Sequence, residues 1–439
     1  ERIGILPDYV NYDGTQRVVT SDETYGAILK SMGYAVDDEE SVQRSLQAAN
    51  EFDRARVAAP IAPATCISCA ERASKRQLRG VWANLYTIRS ETNWGVGDFG
   101  DLRRLVQWAG EMGLAFVAVN PLHALRNRGH DVSPYRPVSR LYRNEIYLEL
   151  EAIPEFKQSA FVNERTKSAE FHLQRDRARA GTVVDYAVVS SLKRAILQSL
   201  HQAFQRSHGD GQTTRGRAYR AFLEREGAAL RDFATFMVLD ERFASGAGTP
   251  LPWQNWPDGL NDSKSAQVQK FRREHADEVD FHCYVQFELD HQLAVLAQTA
   301  KDCGLEIGLF GDLAIGTAPD GSDPWAFPEL FLRDVSIGAP PDDLGPAGQN
   351  WGLPPMNPRA LRETGHEFWK RILRNNLAHM GALRIDHVMG LLRQFWIPGG
   401  FDGSAGAYVR FPAEDLFGIL TEESRQSGTI IVGEDLGTV

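Results

Sequence analysis

The stretch from Val81 to Val119 constrains the fold more than any other part of the chain. Val81-Trp82-Ala83-Asn84-Leu85-Tyr86-Thr87-Ile88 has the β-branched and aromatic texture of a strand. After a loop from Arg89 to Gly97, Asp98 stands as a helix N-cap. Phe99, Leu102, Leu105, Val106, Ala109 and Met112 then recur at the spacing that places them on one helical face. Gly113 stops the helix, and Leu114 to Val119 is a nearly unbroken apolar run, as in a parallel strand covered on both faces. Strand, helix and strand at this spacing read as a βαβ unit, which calls for a parallel sheet.

The same rhythm returns later. A helix through Val285 to Cys303 precedes a strand at Leu305–Ile315. A long loop over Gly316–Pro358 and a helix over Arg359–Met380 lead to a strand at Gly381. A helix over Ala413–Gln426 precedes a last strand, Thr429–Glu434. Five strands alternating with helices, with acidic residues at strand C-termini, predict a (β/α)8 TIM barrel, an α/β fold whose sites lie on that face. A doubly wound sheet is the alternative, disfavoured because no glycine-rich phosphate turn follows the first strand. Eight strands close a barrel and five do not, so the chain reads as holding about the first five strands of one.

Residues 1–80 read as a small helical segment and linker, and residues 81–439 as the barrel. Ser21-Asp22-Glu23 caps a helix through Ala27, Ile28, Leu29 and Met32 that Gly33 ends, and a second helix spans Glu40 to Ala48. The prolines within residues 56–65 exclude helix there. Residues 156–280 are polar and helix-biased, with periodic runs at Lys193–Phe204 and Ala218–Phe243, and read as a helical insertion in the barrel.

A net charge of −10 with interspersed Lys and Arg argues against nucleic acid and anionic membrane partners. No apolar run approaches the length of a membrane span. Four cysteines make no disulfide framework, which suits a reducing cytoplasm. Cys66 and Cys69 form a CxxC without the second pair that a zinc site needs, and no His/Asp/Glu set has metal spacing, so neither metal nor cofactor is expected.

Chemistry concentrates at Gly381-Ala-Leu-Arg-Ile-Asp-His-Val-Met-Gly390. Period two puts Arg384 and Asp386 on one side of a short strand, and the guanidinium favours an ionised, oriented carboxylate. That is a nucleophile's environment, and equally that of a structural ion pair. Ile430, Val432 and Glu434 share one side of the last strand, so Glu434 enters the barrel mouth or merely starts a polar turn. Two carboxylates on adjacent strand ends are the minimal equipment for glycoside cleavage with retention. Asp312 ends its own strand in the same way, and His387 beside Asp386 suits a substrate hydroxyl. The loops nearby carry Asn93-Trp94-Gly95, Ser133-Pro134-Tyr135 and Gln349-Asn350-Trp351-Gly352. Aromatic faces stack on sugar rings and amides bind their rims, although each Trp or Tyr taken singly could just as well pin a loop.

With these residues assembled, the chain resembles the 4-α-glucanotransferases of glycoside hydrolase family 77, the amylomaltases or disproportionating enzymes. The likeness runs from about residue 80 to the end. It is carried by Leu85–Ser90 with Trp94–Phe99, Asn120–Leu125, Ser133–Tyr135, Gly338–Asp342, Gly348–Pro355, Ala382–His387 and Gly433–Thr438, in that order. The resemblance implies Asp386 as nucleophile, Arg384 as its orienting partner and Glu434 as acid/base. It further implies that Asp342 and Trp351 lie on the loop covering the donor, that Ser133 and Tyr135 bind glucose units, and that Asp312 lies beside them. The substrates implied are α-1,4-glucan oligosaccharides (maltodextrins), with glucose as an acceptor; a homodimer is left open.

Two departures stand out. The family's third catalytic carboxylate, in a Thr-His-Asp segment, is expected beyond Val439, so the chain by itself is expected to be inactive. Residues 46–78 leave no room for the β-rich domain that larger bacterial members carry ahead of the barrel. An α-amylase-like hydrolase and a non-catalytic glucan-binding protein remain the rival readings.

Overall fold

Five parallel strands organise the protein, in a computed structural model that describes residues 3–55, 65–72, 77–129, 132–244, 251–343 and 345–436. They are β1 (Gly80–Ala83), β2 (Phe116–Val119), β3 (Gly308–Leu313), β4 (Ala382–Ile385) and β5 (Ile430–Gly433). Each pairs in parallel with the next in chain order. A doubly wound sheet reverses its strand order partway across; this sheet does not, which removes that alternative. Helices α1 (Phe99–Glu111), α2 (Ala276–Asp302), α3 (Glu367–Leu377) and α4 (Ala413–Ser427) precede β2, β3, β4 and β5.

The α1 helix shows how sequence fixes an element. Phe99, Leu102, Val106 and Ala109 are buried at helical spacing. Asp98 accepts from the Gly100 and Asp101 N–H groups while Asp101 returns a bond to the Asp98 N–H, a reciprocal cap. Met112, expected on the buried face, is exposed. The strand expected over Val81–Ile88 is shorter, because the chain turns into a 3-10 helix at Leu85–Thr87. There Asn120 Oδ1 captures the Leu85 N–H at 2.8 Å.

Helices Ala160–Lys167, Ala169–Ala180, Tyr186–His208, Thr214–Arg242 and Ala266–Glu274 lie between β2 and β3. The longest turns at Gly227, whose φ of 62° interrupts it. No break falls at residue 280, since α2 begins at Ala276. Lys193 anchors this layer: buried, it donates to the Ile146 and Leu148 carbonyls at 2.6 and 2.8 Å and lies 3.8 Å from Asp98. Burial pushes the Asp98 carboxyl up to about 7, against the opposing pull of Lys193.

Three expectations are corrected. The helical segment expected within residues 1–80 is not helical alone. A β-hairpin, Asp8–Val10 with Arg17–Val19, precedes the helices Asp22–Ser31 and Glu39–Ala55. The Gly316–Pro358 loop holds a short helix, Ser322–Ala326, and two strands, Val335–Ala339 and Gln349–Leu353. These join Arg393–Pro398 and Ala407–Arg410 in a four-stranded antiparallel sheet. The N-terminal hairpin docks on that sheet through an Ile5–Val409 bridge and the rings of Tyr9, Phe395 and Tyr408. Finally, the helix expected over Arg359–Met380 is two, Pro358–Glu363 and α3, parted where Gly365 and His366 adopt positive φ.

Of the linker, residues 56–64 lie outside the described residues. Cys66 and Cys69 are free thiols, and Ile67 bridges in parallel to Ile430 on β5.

Gly381, at the entry to β4, has almost no room for a side chain: a Cβ there would lie 1.6 Å from the Ile307 carbonyl oxygen. Gly381→Ala is therefore expected to lower the unfolding free energy by at least about 2 kcal/mol in urea denaturation. Gly26, inside a helix with open space around it, gives the opposite sign: Gly26→Ala should stabilise by about 0.5–1 kcal/mol.

Candidate active site

Register builds the site. Arg384 on β4 pairs with Asp312 on β3 and Val432 on β5. The ladder continues past the formal strand ends, with the Asp386 N–H donating to the Leu313 carbonyl and the Glu434 N–H to the Ile385 carbonyl, both at 3.0 Å. Asp312, Asp386 and Glu434 thus emerge together at the C-terminal edge of three neighbouring strands.

One guanidinium holds this edge. Arg384 Nη1 donates to Asp312 Oδ1 and Nη2 to Asp386 Oδ1, each at 2.8 Å, and Nη2 lies 4.0 Å from Glu434 Oε2. The Tyr135 hydroxyl donates to the other Asp312 oxygen at 2.7 Å. Burial disfavours the Arg384 charge, but Asp312 and Asp386 outweigh it and its pKa rises.

The carboxylates respond differently from the sequence-based expectation. Arg384 does favour ionised Asp386, yet burial is the larger influence and the Glu434 charge adds to it, so the Asp386 pKa is raised. Asp312 is raised too, by burial, with Tyr135 and Arg384 opposing. Burial raises the Tyr135 hydroxyl, and its bond to Asp312 adds to that. These groups carry three acids against one base in a partly desolvated cleft, which is how functional carboxylates are commonly tuned.

His387 follows in a left-handed conformation, φ 49°. That turn aims its N–H at Glu434 Oε2, 2.9 Å away, while the Val388 N–H donates to the Glu434 carbonyl. The His387 imidazole is lowered by burial, against the raising influence of Glu434 and Asp386. Its ring meets the edge of Trp351, with centroids 5.3 Å apart and planes at 84°. Trp351 lies on the Gln349–Leu353 strand, so the antiparallel sheet roofs the edge of the parallel one.

The structure therefore brings Tyr135, Asp312, Trp351 and His387 together with Arg384, Asp386 and Glu434. Ser133, Asp342 and Asn350 make local turn contacts. Ser133 Oγ accepts from the Tyr135 N–H, Asp342 Oδ1 from the Gly345 N–H, and Asn350 Oδ1 from the Gly352 N–H. Those bonds shape the two loops that carry Tyr135 and Trp351.

Sequence reasoning missed the support beneath β3. The buried Arg140 guanidinium, lowered by burial to about 10, donates to the Ile315 carbonyl at 2.7 Å. The buried His123 Nε2 accepts from the Ala314 N–H at 3.3 Å. Asp323, pushed up to about 6 by burial, accepts from Ser139 and the Arg140 N–H. Only the three-dimensional packing unites these dispersed residues. Among the described residues, no group of three or more His, Cys, Asp or Glu side chains could hold a metal ion.

Comparison with known proteins gives this geometry its relatives. The glycoside hydrolase family 77 model, described as 4-alpha-glucanotransferase, matches residues 83–439. The 4-alpha-glucanotransferase of Mycobacterium tuberculosis is 38% identical over 381 residues, covering 84% of this chain and 50% of the relative. That of Haemophilus influenzae is 37% identical over 371 residues, covering 83% of this chain and 53% of the relative. The chain thus spans about half the length of these curated relatives. The amylomaltase of Corynebacterium glutamicum superimposes with a TM-score of 0.85 at 26% identity, covering 100% of this chain and 71% of that one. An amylomaltase from Streptococcus agalactiae, solved with acarbose, shares the fold with a TM-score of 0.67 at 23% identity, over 83% of this chain and 70% of that one. The present chain, with its register-built triad of acids around one arginine, belongs to glycoside hydrolase family 77, the 4-alpha-glucanotransferase family.

Proposed function

We propose that the protein is a 4-alpha-glucanotransferase, moving α-1,4-glucan segments between maltodextrins by double displacement with retention. The observation that carries this reading is the Arg384 fork, which orients Asp386 beside Glu434 at adjacent strand ends. Membership in the family points the same way.

Asp386 Oδ1 is engaged by Arg384, which leaves Oδ2 to attack the anomeric carbon. Glu434 delivers its proton to the departing glycosidic oxygen as the C1–O bond breaks and the C1–Asp386 bond forms. The ester is neutral, so the repulsion that the Glu434 charge exerts on Asp386 disappears at this stage. Glu434, now a carboxylate, takes the proton from an acceptor 4-hydroxyl, whose oxygen attacks C1 and frees Asp386. Glucose or a maltodextrin is the acceptor.

Tyr135 and Asp312 position sugar hydroxyls and hold the far side of Arg384. His387 offers its ring nitrogen to a hydroxyl, and Trp351 an aromatic face. Ser133, Asp342 and Asn350 contribute through the loops they brace. Transfer in place of hydrolysis requires that an acceptor sugar exclude water, a task suited to the roof that carries Trp351.

The five parallel strands form part of a (β/α)8 barrel covering 81–439, with the 156–280 helices as an insertion and residues 1–80 as an N-terminal segment and linker. The free thiols fit a cytoplasmic setting. Among the described residues, no helix is long and apolar enough to cross a membrane.

In the full-length protein, Asp386→Asn is expected to reduce disproportionation of maltotriose by about 10³-fold or more. The assay resolves glucose and longer oligosaccharides from net reducing-end gain. A near wild-type rate would sink the assignment of the nucleophile, and reducing ends rising without chain lengthening would indicate a hydrolase.

The pH dependence has a definite sign. Burial holds the Asp386 pKa above the usual aspartate range and Arg384 pulls it down. Arg384→Gln removes that pull, so the acid limb of kcat/KM should move to higher pH, besides any loss of rate. A limb that stays in place would show that Arg384 does not govern Asp386 ionisation.

A further inference from the structure

A second cleft opens beside the roof. It measures about 470 Å³, within the ~300–1,000 Å³ of small-molecule sites. One wall is Trp253, from the part of the helical insertion between the Thr214–Arg242 and Ala266–Glu274 helices; the others are the Phe331–Ser336 stretch and Pro354. None of these residues has a role in the reaction described above.

The cleft is built rather than incidental. Trp253 is buried, and the Arg333 guanidinium lies 5.2 Å from its ring centroid. The Gln254 amide donates to the Pro319 carbonyl at 3.0 Å, tying the Trp253 segment to another residue of the lining. Trp253 Nε1 is buried without a hydrogen-bond acceptor among the described residues. The lining is aromatic and proline surface edged by arginine, aspartate and serine, with charges of both signs. Flat apolar surface with a polar edge suits a neutral polyhydroxylated ring, which has apolar faces and a hydroxylated rim.

Position links the cleft to the reaction. Arg136 and Gly352 line it. Arg136 follows Tyr135, whose hydroxyl holds Asp312, and Gly352 follows Trp351, whose ring touches His387. The cleft thus adjoins, through their chain neighbours, the two segments that bring Tyr135 and Trp351 to the acid cluster, and a glucan extending past them meets it.

We infer that the Trp253–Arg333 cleft is a remote sugar-binding site that engages long α-1,4-glucans after they pass the Trp351 roof, and that short ones do not reach. It rests on the glucanotransferase reading and adds a determinant of chain-length preference to it.

Steady-state kinetics of the full-length protein with maltotriose and with maltoheptaose test this. Ser336→Phe fills the cleft, and Arg333→Ala removes an exposed side chain from its edge. Both should raise KM for maltoheptaose about fivefold, the scale of one hydrogen bond's net contribution, with kcat and KM for maltotriose unchanged. Equal shifts for both substrates, or no shift for either, overturn the remote site. If Ser336→Phe fails to fold by circular dichroism, Arg333→Ala decides alone. Wild-type protein that disproportionates neither sugar overturns the activity and the cleft with it. Wild-type activity on both, with no length-dependent effect in the variants, overturns the cleft alone.

Discussion

The Arg384 guanidinium is the interaction on which the site depends. It supplies one positive charge to three carboxylates, and two of them take its two prongs. The Asp312 side chain is fully buried, so its charge has no solvent to fall back on. Leaving one partner of a buried pair unpaired typically costs about 3–5 kcal/mol, more than the pair contributes over a hydrophobic substitute. The arrangement is therefore a device for orientation more than for stability. It holds Asp312 and Asp386 at fixed positions, and Tyr135 with them.

That device exists because of strand register. Arg384 faces Asp312 across β3–β4, and period two returns Asp386 to the same side two residues on. A slip of β4 by one residue would send Arg384 and Asp386 to the face opposite Asp312. The close approach of Gly381 to Ile307 helps forbid such a slip, since no bulkier residue can take the Gly381 place. Past the strand end, the left-handed His387 carries backbone strain of about 1–3 kcal/mol. The strain turns its N–H onto Glu434 and its ring toward Trp351, so the same residue that departs from strand geometry joins the two carboxylate-bearing strands to the roof.

Much of this frame was legible because it rests on short-range patterns. The 3.6-residue spacing of Phe99, Leu102, Val106 and Ala109, the Asp98 cap, and the period-two pairing of Arg384 with Asp386 all lie within a few residues. The antiparallel sheet was not legible. Val335-Ser-Ile-Gly-Ala339 and Gln349-Asn-Trp-Gly-Leu353 contain glycines and exposed polar residues, and their pairing depends on Arg393–Pro398, far along the chain. The α3 break at Gly365-His366 hid inside an otherwise helical period. The direction of the Asp386 pKa shift was missed for a related reason: the adjacent Arg384 can be read from sequence, whereas the burial that outweighs it comes from the whole fold. Ser133 and Asn350 show the converse, since their oxygens close the turns beside Tyr135 and Trp351, the residues whose side chains meet Asp312 and His387.

The two sheets have different mechanical characters, and this bears on how the proposed reaction proceeds. The parallel strands β2, β3 and β4 are flanked on both sides and largely buried, so Asp312 and Asp386 stand on a floor that opens only with the fold itself, while Glu434 follows the edge strand β5. The Gln349–Leu353 strand lies at the edge of its sheet, with Gln349 and Asn350 exposed and positive-φ glycines at positions 348 and 352. Trp351 is only half-buried there. The far edge of the same sheet is fastened by the N-terminal hairpin through Ile5, Tyr9 and Tyr408. The edge left unfastened is the one that roofs Asp386. A rigid floor that fixes two carboxylates and a roof free at one edge satisfy opposite demands of glucan transfer: the covalent step needs the acids held still, and exchange of leaving chain for acceptor needs the cover to yield.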